Sequence, residues 1–387
     1  MAIHETVLNT TSLEFSALAR TKSLNGEEII SLGLGEPGFE TPKAIIDAAS
    51  ASMLKGENRY STPLGLPSLR NKIESNLNIR YAADFDLSRN LIVTTGAKQA
   101  LSLALTSILE PGDEIVVFSP CFVSFIPQVL ISESEVSLRI FPLCDDFSLD
   151  FNALKDFISQ KTKAILLNFP NNPTGAMLNR DDVKKIVSIA SENDLYIISD
   201  EIYSQMVFNA TFNSFYNHFL AYDKIFIIDG FSKTYSMTGW RIGYLVGPSE
   251  HIERISKIQQ HTQTNVPVFI QRGAEAALEL EESFISSYSE RLSENTEFLT
   301  NEVSKYPNVV LTPPTGGMFA FINLRSVCSS SDDFCTKLLF ETSVAATPGI
   351  IFGTHFEGFV RVSIGGDCET FRLGVSRLLE FTNTYEK

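Results

Sequence analysis

One lysine stands out for its surroundings. Lys233 lies in Gly230-Phe231-Ser232-Lys233-Thr234-Tyr235-Ser236-Met237-Thr238-Gly239-Trp240-Arg241-Ile242-Gly243, among small residues and with an arginine eight positions on. A lysine amine held near an aldehyde can form a Schiff base with it. Small neighbours let a bulky ligand approach the backbone, and Arg241 offers a fixed fork for a phosphate. An arbitrary lysine at a strand end is a solvated surface group. This one carries a pattern, G-x-S-K-x-x-S-M-x-G-x-R-I-G.

Other stretches add candidate chemistry. Gly96-Ala97-Lys98 follows a strand-like run and opens a helix, so its backbone N–H groups can bind an anion at the positive end of the helix dipole. Asn168-Phe169-Pro170-Asn171-Asn172-Pro173-Thr174-Gly175 is a rigid loop presenting amide side chains, although Asn, Pro and Gly also make plain turns. Asp200, at the end of the next strand, needs a cationic partner if it is buried there. Phe122, just past another strand end, is core unless a planar ligand sits against it. Gly33, Gly35 and Gly38, with Pro37 and Pro42, force an extended, turning path that lets a ligand near the backbone.

These residues need elements to hold them. From residue 90 apolar strand runs (Leu91–Thr95, Glu114–Phe118, Val136–Phe141, Ala164–Leu167, Leu195–Ser199, Lys224–Ile228) alternate with helical ones. The fold class read from this is α/β: a mostly parallel seven-stranded-type sheet flanked by helices. Ligands gather beyond the C-terminal strand ends of such sheets, where these loops fall. A long helical region is expected over Val268–Tyr306, and from about 290 a smaller α+β C-terminal domain follows. The expected division is an N-terminal arm over 1–40, a large domain over 41–289 and a small domain over 290–387.

The 387 residues carry a net charge of −15, which argues against nucleic-acid binding, since phosphates call for basic surfaces. Cys121, Cys144, Cys328, Cys335 and Cys368 are scattered and form no C-x-x-C, so neither a disulfide framework nor a metal site is expected. The N-terminus has no basic-then-apolar signal pattern and no stretch is long enough to span a membrane; the expected setting is cytoplasmic.

Asn172-Pro173-Thr174-Gly175, Ser199-Asp200-Glu201-Ile202-Tyr203, the Lys233 signature, Pro348-Gly349 and Val360-Arg361-Val362-Ser363 occur in the order and approximate spacing of one family. Over about residues 30–385 the chain resembles the fold-type I, class I/II pyridoxal-phosphate aminotransferases, nearest the bacterial aspartate/prephenate branch. The resemblance implies pyridoxal 5'-phosphate as cofactor and a homodimer with shared active sites. Lys233 would carry the Schiff base and shuttle the substrate proton, Asp200 would pair with the pyridine N–H, and Tyr203 and Asn172 would bond the ring hydroxyl. Phe122 would stack on the ring; Gly96, Ala97, Lys98, Ser232 and Arg241 would surround the phosphate end, with Tyr60 reaching it from the partner subunit. Arg361, with Asn172 and the Gly35 backbone, would grip the substrate α-carboxylate. The Asn172–Pro173 bond is expected to be cis, as relatives often have it. Three departures stand out: Gly230 replaces a serine common in relatives, Gly38 an aspartate, and Glu14 the small or apolar residue usual in the segment that folds over the substrate side chain.

The implied activity is transfer of an L-amino acid's amino group to a 2-oxo acid. The same motifs serve relatives with other outcomes, because the cofactor stabilises the α-carbanion whatever happens next. Thr11-Ser12-Leu13-Glu14-Phe15-Ser16-Ala17-Leu18 resembles a stretch of oxygen-using arginine oxidases in which a glutamate meets the guanidinium, so a pyridoxal-phosphate- and O2-dependent L-arginine oxidase, or a related α,β-modifying enzyme on the same fold, is the alternative. Glu14 would favour a cationic substrate side chain; Lys98, as in the aspartate/prephenate branch, would favour a carboxylate.

Overall fold

The structure, a computed structural model, describes residues 21–22, 25–208 and 210–385. Glu14 and the rest of Thr11–Leu18 lie outside the described residues. The strands are β1 (Ile30–Ser31), β2 (Leu91–Thr94), β3 (Glu114–Ser119), β4 (Ser137–Pro142), β5 (Thr162–Asn168), β6 (Tyr196–Asp200), β7 (Ile225–Gly230), β8 (Gly243–Val246), β9 (Val310–Leu311), β10 (Phe319–Asn323), β11 (Val344–Ala345), β12 (Thr347–Pro348) and β13 (Phe359–Ser363).

Seven of them form one sheet in the order β2-β8-β7-β6-β5-β3-β4. Neighbours are parallel except at β8, which runs antiparallel to both β2 and β7. Buried on both faces, the central strands read as continuous apolar runs rather than alternating ones. Alternate side chains still go to opposite cores: Val116 and Phe118 of β3 to one, Ile115 and Val117 to the other. A second, antiparallel sheet, β12-β13-β10-β9, packs with helices Glu282–Val303, Ser331–Thr342 and Cys368–Thr384 around its own core. The short β1 pairs in parallel with β11 and so ties the segment around residue 30 to the C-terminal region.

The strand–helix alternation agrees with the expected α/β class. Three expectations need correction. The helical region over Val268–Tyr306 is two helices, Val268–Ala277 and Glu282–Val303. Leu278 and Leu280 both pack on the core; two residues apart they fall on opposite sides of a straight helix, so the chain turns instead. The bond at Asn172–Pro173 is not cis: among the described residues the cis bonds are Ser119–Pro120 and Phe169–Pro170. The turn there is held by Gly175 N–H donating to the Asn171 carbonyl at 2.8 Å and Thr174 N–H donating to Asn171 Oδ1 at 3.2 Å. The expected alternation also omits helix Phe125–Ser132 and strand β8. Pro127 lies in that helix's first turn, where no intrahelical N–H bond is lost, and β8 is only four residues long, paired with the preceding β7 and with the distant β2.

Candidate active site

Where β5, β6 and β7 end, a cavity of about 580 Å³ opens. Gly35, Ala97, Lys98, Phe122, Asn172, Asp200, Tyr203, Ser232, Lys233, Arg241 and Arg361 all line it. Residues more than 300 positions apart in the chain therefore meet at one place. Gly96 stands directly behind: a Cβ there would lie 2.8 Å from Arg241 Nη2, and its φ of 77° suits glycine. Tyr60 does not line this chain's cavity; it is 86% exposed on the surface.

Local structure explains the placement. Gly96 lies two residues past the end of β2 and caps helix Ala97–Ile108, whose first N–H groups have no partner within the helix and lie at the cavity. Gly230 and Gly243 face each other across β7 and β8; a Cβ on Gly230 would meet the Gly243 Cα at 2.8 Å, and one on Gly243 the Ala97 nitrogen at 2.9 Å. This close approach brings the Ala97 turn beside the Lys233 loop, and a serine at 230 has no room. Asn168 bridges two further loops: its Nδ2 donates to the Asp200 carbonyl at 2.9 Å and its Oδ1 accepts from the Asn172 N–H at 3.0 Å. Gly38 lies against Gly365 and Gly366, where a Cβ would come within 2.6 Å of the Gly365 carbonyl, so the aspartate of relatives does not fit this packing.

The electrostatics are set largely by desolvation. Burial lowers the Lys233 amine to about 8, with Glu36 acting in the opposite sense and Arg361 and Arg241 in the same one. Lys233 Nζ donates to the Gly35 carbonyl. Burial raises the Asp200 carboxyl to about 7 against one backbone bond, from Ile202 N–H at 3.2 Å. Burial, then the Asp200 charge, pushes the Tyr203 hydroxyl up. Arg361, only 8% exposed, is lowered to about 10 by burial. Its Nη1 donates to Asn172 Oδ1 at 3.0 Å and its Nη2 to the Gly33 carbonyl at 2.8 Å and Thr347 Oγ1 at 3.2 Å. The guanidinium lies 4.1 Å from the Phe319 ring centroid.

The family described as Aminotransferase class I and II matches residues 27–378. The chain belongs to the class I and II aminotransferases. It is 36% identical to the aspartate aminotransferase of Thermotoga maritima over 96% of each chain, and 34% identical to that of Pyrococcus horikoshii over 93% of this chain and 90% of the relative. A (5-formylfuran-3-yl)methyl phosphate transaminase of Methanocaldococcus jannaschii is 34% identical over 96% of each chain. Among solved structures, the Thermotoga maritima aspartate aminotransferase superposes with a TM-score of 0.89 at 35% identity, covering 96% of this chain and 97% of the other. The Thermus thermophilus aspartate aminotransferase with maleate gives 0.90 at 27% identity, covering 98% and 99%. None of these relatives is an oxidase.

This aminotransferase depends on pyridoxal phosphate, and the residues at hand fit the group. Asp200 is a buried carboxylate on the cavity wall with no cationic side chain in ion-pairing range among the described residues, as a protonated ring nitrogen would require. Arg241, Ser232 and the open end of helix Ala97–Ile108 supply donors for a phosphate. Glu36, Thr238, Phe319, Thr347 and Gln128 also line or back the cavity and were not singled out in the sequence. Only Glu36 had a local signal, next to Gly35; its Oε1 accepts from Thr238 Oγ1 at 2.9 Å.

Proposed function

We propose that this aminotransferase takes a dicarboxylic L-amino acid, aspartate or glutamate, as amino donor and a 2-oxo acid as acceptor. The observation that carries the choice is Lys98. It is exposed to the open cavity beside Phe122, with Nζ 5.5 Å from the ring centroid, and no carboxylate pairs with it among the described residues. What desolvation it has, and then the nearby Arg241 charge, lowers its proton affinity, so a substrate carboxylate there would relieve both. Maleate, with which the Thermus thermophilus enzyme was solved, is itself a four-carbon dicarboxylate.

When bound, pyridoxal phosphate supplies an aldehyde that takes up the amino group and a ring that accepts electrons as the α-proton leaves. Arg361, held by Asn172, Gly33 and Thr347, anchors the α-carboxylate, and Lys98 the side-chain carboxylate. Fixing both ends aims the Cα–H bond at Lys233. With an amine brought down to about 8, Lys233 can accept that proton near neutral pH and return it. Asp200 would keep the ring nitrogen protonated, Tyr203 and Asn172 would bond the ring hydroxyl, Phe122 would cover the ring, and Gly96, Ala97, Ser232 and Arg241 would hold the phosphate.

A homodimer completes the site, with Tyr60 of one copy reaching the phosphate of the other. Its support is a group of large apolar side chains left exposed within a short stretch of chain: Ile46, Met53, Leu54 at 89% and Tyr60 at 86%. The three-part division at residues 40 and 289 is our proposal for the structural units, with helix Glu282–Val303 running across the second boundary. No described helix is long and apolar enough to cross a membrane, and no disulfide joins any of the cysteines; we place the enzyme in the cytoplasm.

A screen of all L-amino acids against the bound cofactor's absorbance, with and without oxygen, tests the donor. Aspartate or glutamate should convert it fastest, and Lys98→Ala should cost those donors about 2 kcal/mol in kcat/KM, at least a tenfold loss, with alanine little changed. Arginine turnover with oxygen consumption and none with aspartate or glutamate would overturn the reading.

A further inference from the structure

A second cluster of ionisable groups lies on the far side of the sheet from Asp200. Asp229, next to last in β7, is 4% exposed. Its Oδ1 accepts from the Gly230 N–H at 2.7 Å; its Oδ2 accepts from Ser204 Oγ and from the Tyr244 hydroxyl, each at 3.1 Å, and sits 3.5 Å from Arg80 Nη1. Arg80, near the end of helix Pro67–Tyr81, also donates to Ser204 Oγ at 3.3 Å and to Asn76 Oδ1 at 2.6 Å. Asp200 is the register partner of Ile228, so the next residue, Asp229, points to the opposite face, toward that helix.

Ser204 follows Tyr203 directly, and Gly230 starts the run to Lys233. One buried carboxylate therefore ties both loops to a single point, and a guanidinium compensates its charge. Removing one member of such a pair leaves an uncompensated buried charge, which acts on neighbouring titrations as well as on stability.

We propose that the Arg80–Asp229 ion pair is a positioning device for the active site: it holds the Tyr203 and Lys233 loops in one arrangement and sets the charge that Asp200 feels from behind. This rests on the roles given above to Lys233, Asp200 and Tyr203. The other ionisable groups facing the pair are Tyr81, Tyr235, Tyr244 and Glu201. Glu201 is taken up by Ser199 Oγ, Ser214 Oγ and the Phe215 N–H at 3.1, 2.5 and 3.0 Å. Beyond the dominant effect of burial on Asp200, the Asp229 charge acts to raise it further.

The sign of each variant's effect follows. Arg80→Gln leaves a lone carboxylate, which favours protonated neighbours; Asp229→Asn leaves a lone guanidinium, which disfavours them. In the holoenzyme, the pH midpoint of the bound cofactor's absorbance should rise in the first and fall in the second, each by on the order of half a pH unit. The double variant should return toward the wild-type midpoint. Asp229→Asn should also lower kcat about tenfold with KM nearly unchanged, since substrate contacts stay in place. Arg80→Lys keeps the charge and should keep the midpoint, so it serves if Arg80→Gln does not fold. Midpoints that move together, do not move at all, or shift in Arg80→Lys would overturn the proposal. Loss of the absorbance in Lys233→Ala checks the underlying assignment separately.

Discussion

At the scale of single residues, the site works by placing ionisable groups where water cannot stabilise their charged forms. Lys233 and Asp200 are moved toward neutrality from opposite sides, the amine down to about 8 and the carboxyl up to about 7, mainly by burial. The structure thus prepares an amine that is partly unprotonated near neutral pH and a carboxyl that becomes anionic once a cation meets it. In the cofactor-free protein, acylation of Lys233 should follow a titration with its midpoint near 8, because only the free amine reacts. Mass spectrometry of the labelled Lys233 peptide across pH reads it. A Lys233 midpoint at the ordinary lysine value of about 10.4 would mean that its burial does not persist in solution.

Elements decide how close these groups come. Glycines at 230 and 243 let β7 and β8 approach until the Gly96–Ala97 turn rests against them, and the Lys233 loop and the helix start then share a wall of the cavity. Gly230→Ser tests whether this closeness is needed. Its Cβ would meet Gly243 Cα at 2.8 Å and the Ile242 carbonyl at 3.1 Å, both backbone atoms that cannot swing aside. We expect a loss of about 1–3 kcal/mol in stability, the usual cost of overpacking, and weaker cofactor binding, measured by urea unfolding and by titrating pyridoxal phosphate into the cofactor-free variant. An unchanged unfolding midpoint with unchanged affinity would show that the strands can separate without penalty.

Across the whole molecule the cavity lies between two cores, one around the seven-stranded sheet and one around the antiparallel sheet. Arg361 on β13 of the second sheet reaches Asn172 on a loop of the first, and the segment at Gly33 and Gly35 contacts both Arg361 and Lys233. Relative movement of these two bodies would change the span from Arg361 to Lys233, and with it the fit to substrate. The exposed apolar surface at Leu54 and Tyr60 belongs to the same scale. Placing a charge on it with Leu54→Glu, where a buried leucine contributes about 2 kcal/mol, should shift sedimentation from twice the 42.9 kDa chain mass toward the single chain and lower cofactor retention. A wild-type protein that sediments as a single chain with full cofactor would refute the shared site.

The sequence by itself determined the fold class, the family and the local chemistry of each loop. Those depend on short-range rules: apolar runs of strand length, glycines where backbone must turn, and a lysine with an arginine eight residues on. It also pointed to Asn172, Asp200, Lys233 and Arg361, which the fold brings to one cavity. What it could not determine depends on contacts between distant segments. The break at Leu278–Glu281 follows from two leucines needing the same core, and the exclusion of side chains at Gly38 and Gly230 from backbone packed against them. The Arg80–Asp229 pair needed a helix and a strand 149 positions apart to meet. Even Lys233, recognisable from its neighbours, owes its lowered proton affinity to desolvation by the whole cavity wall, a property that no short stretch of chain carries.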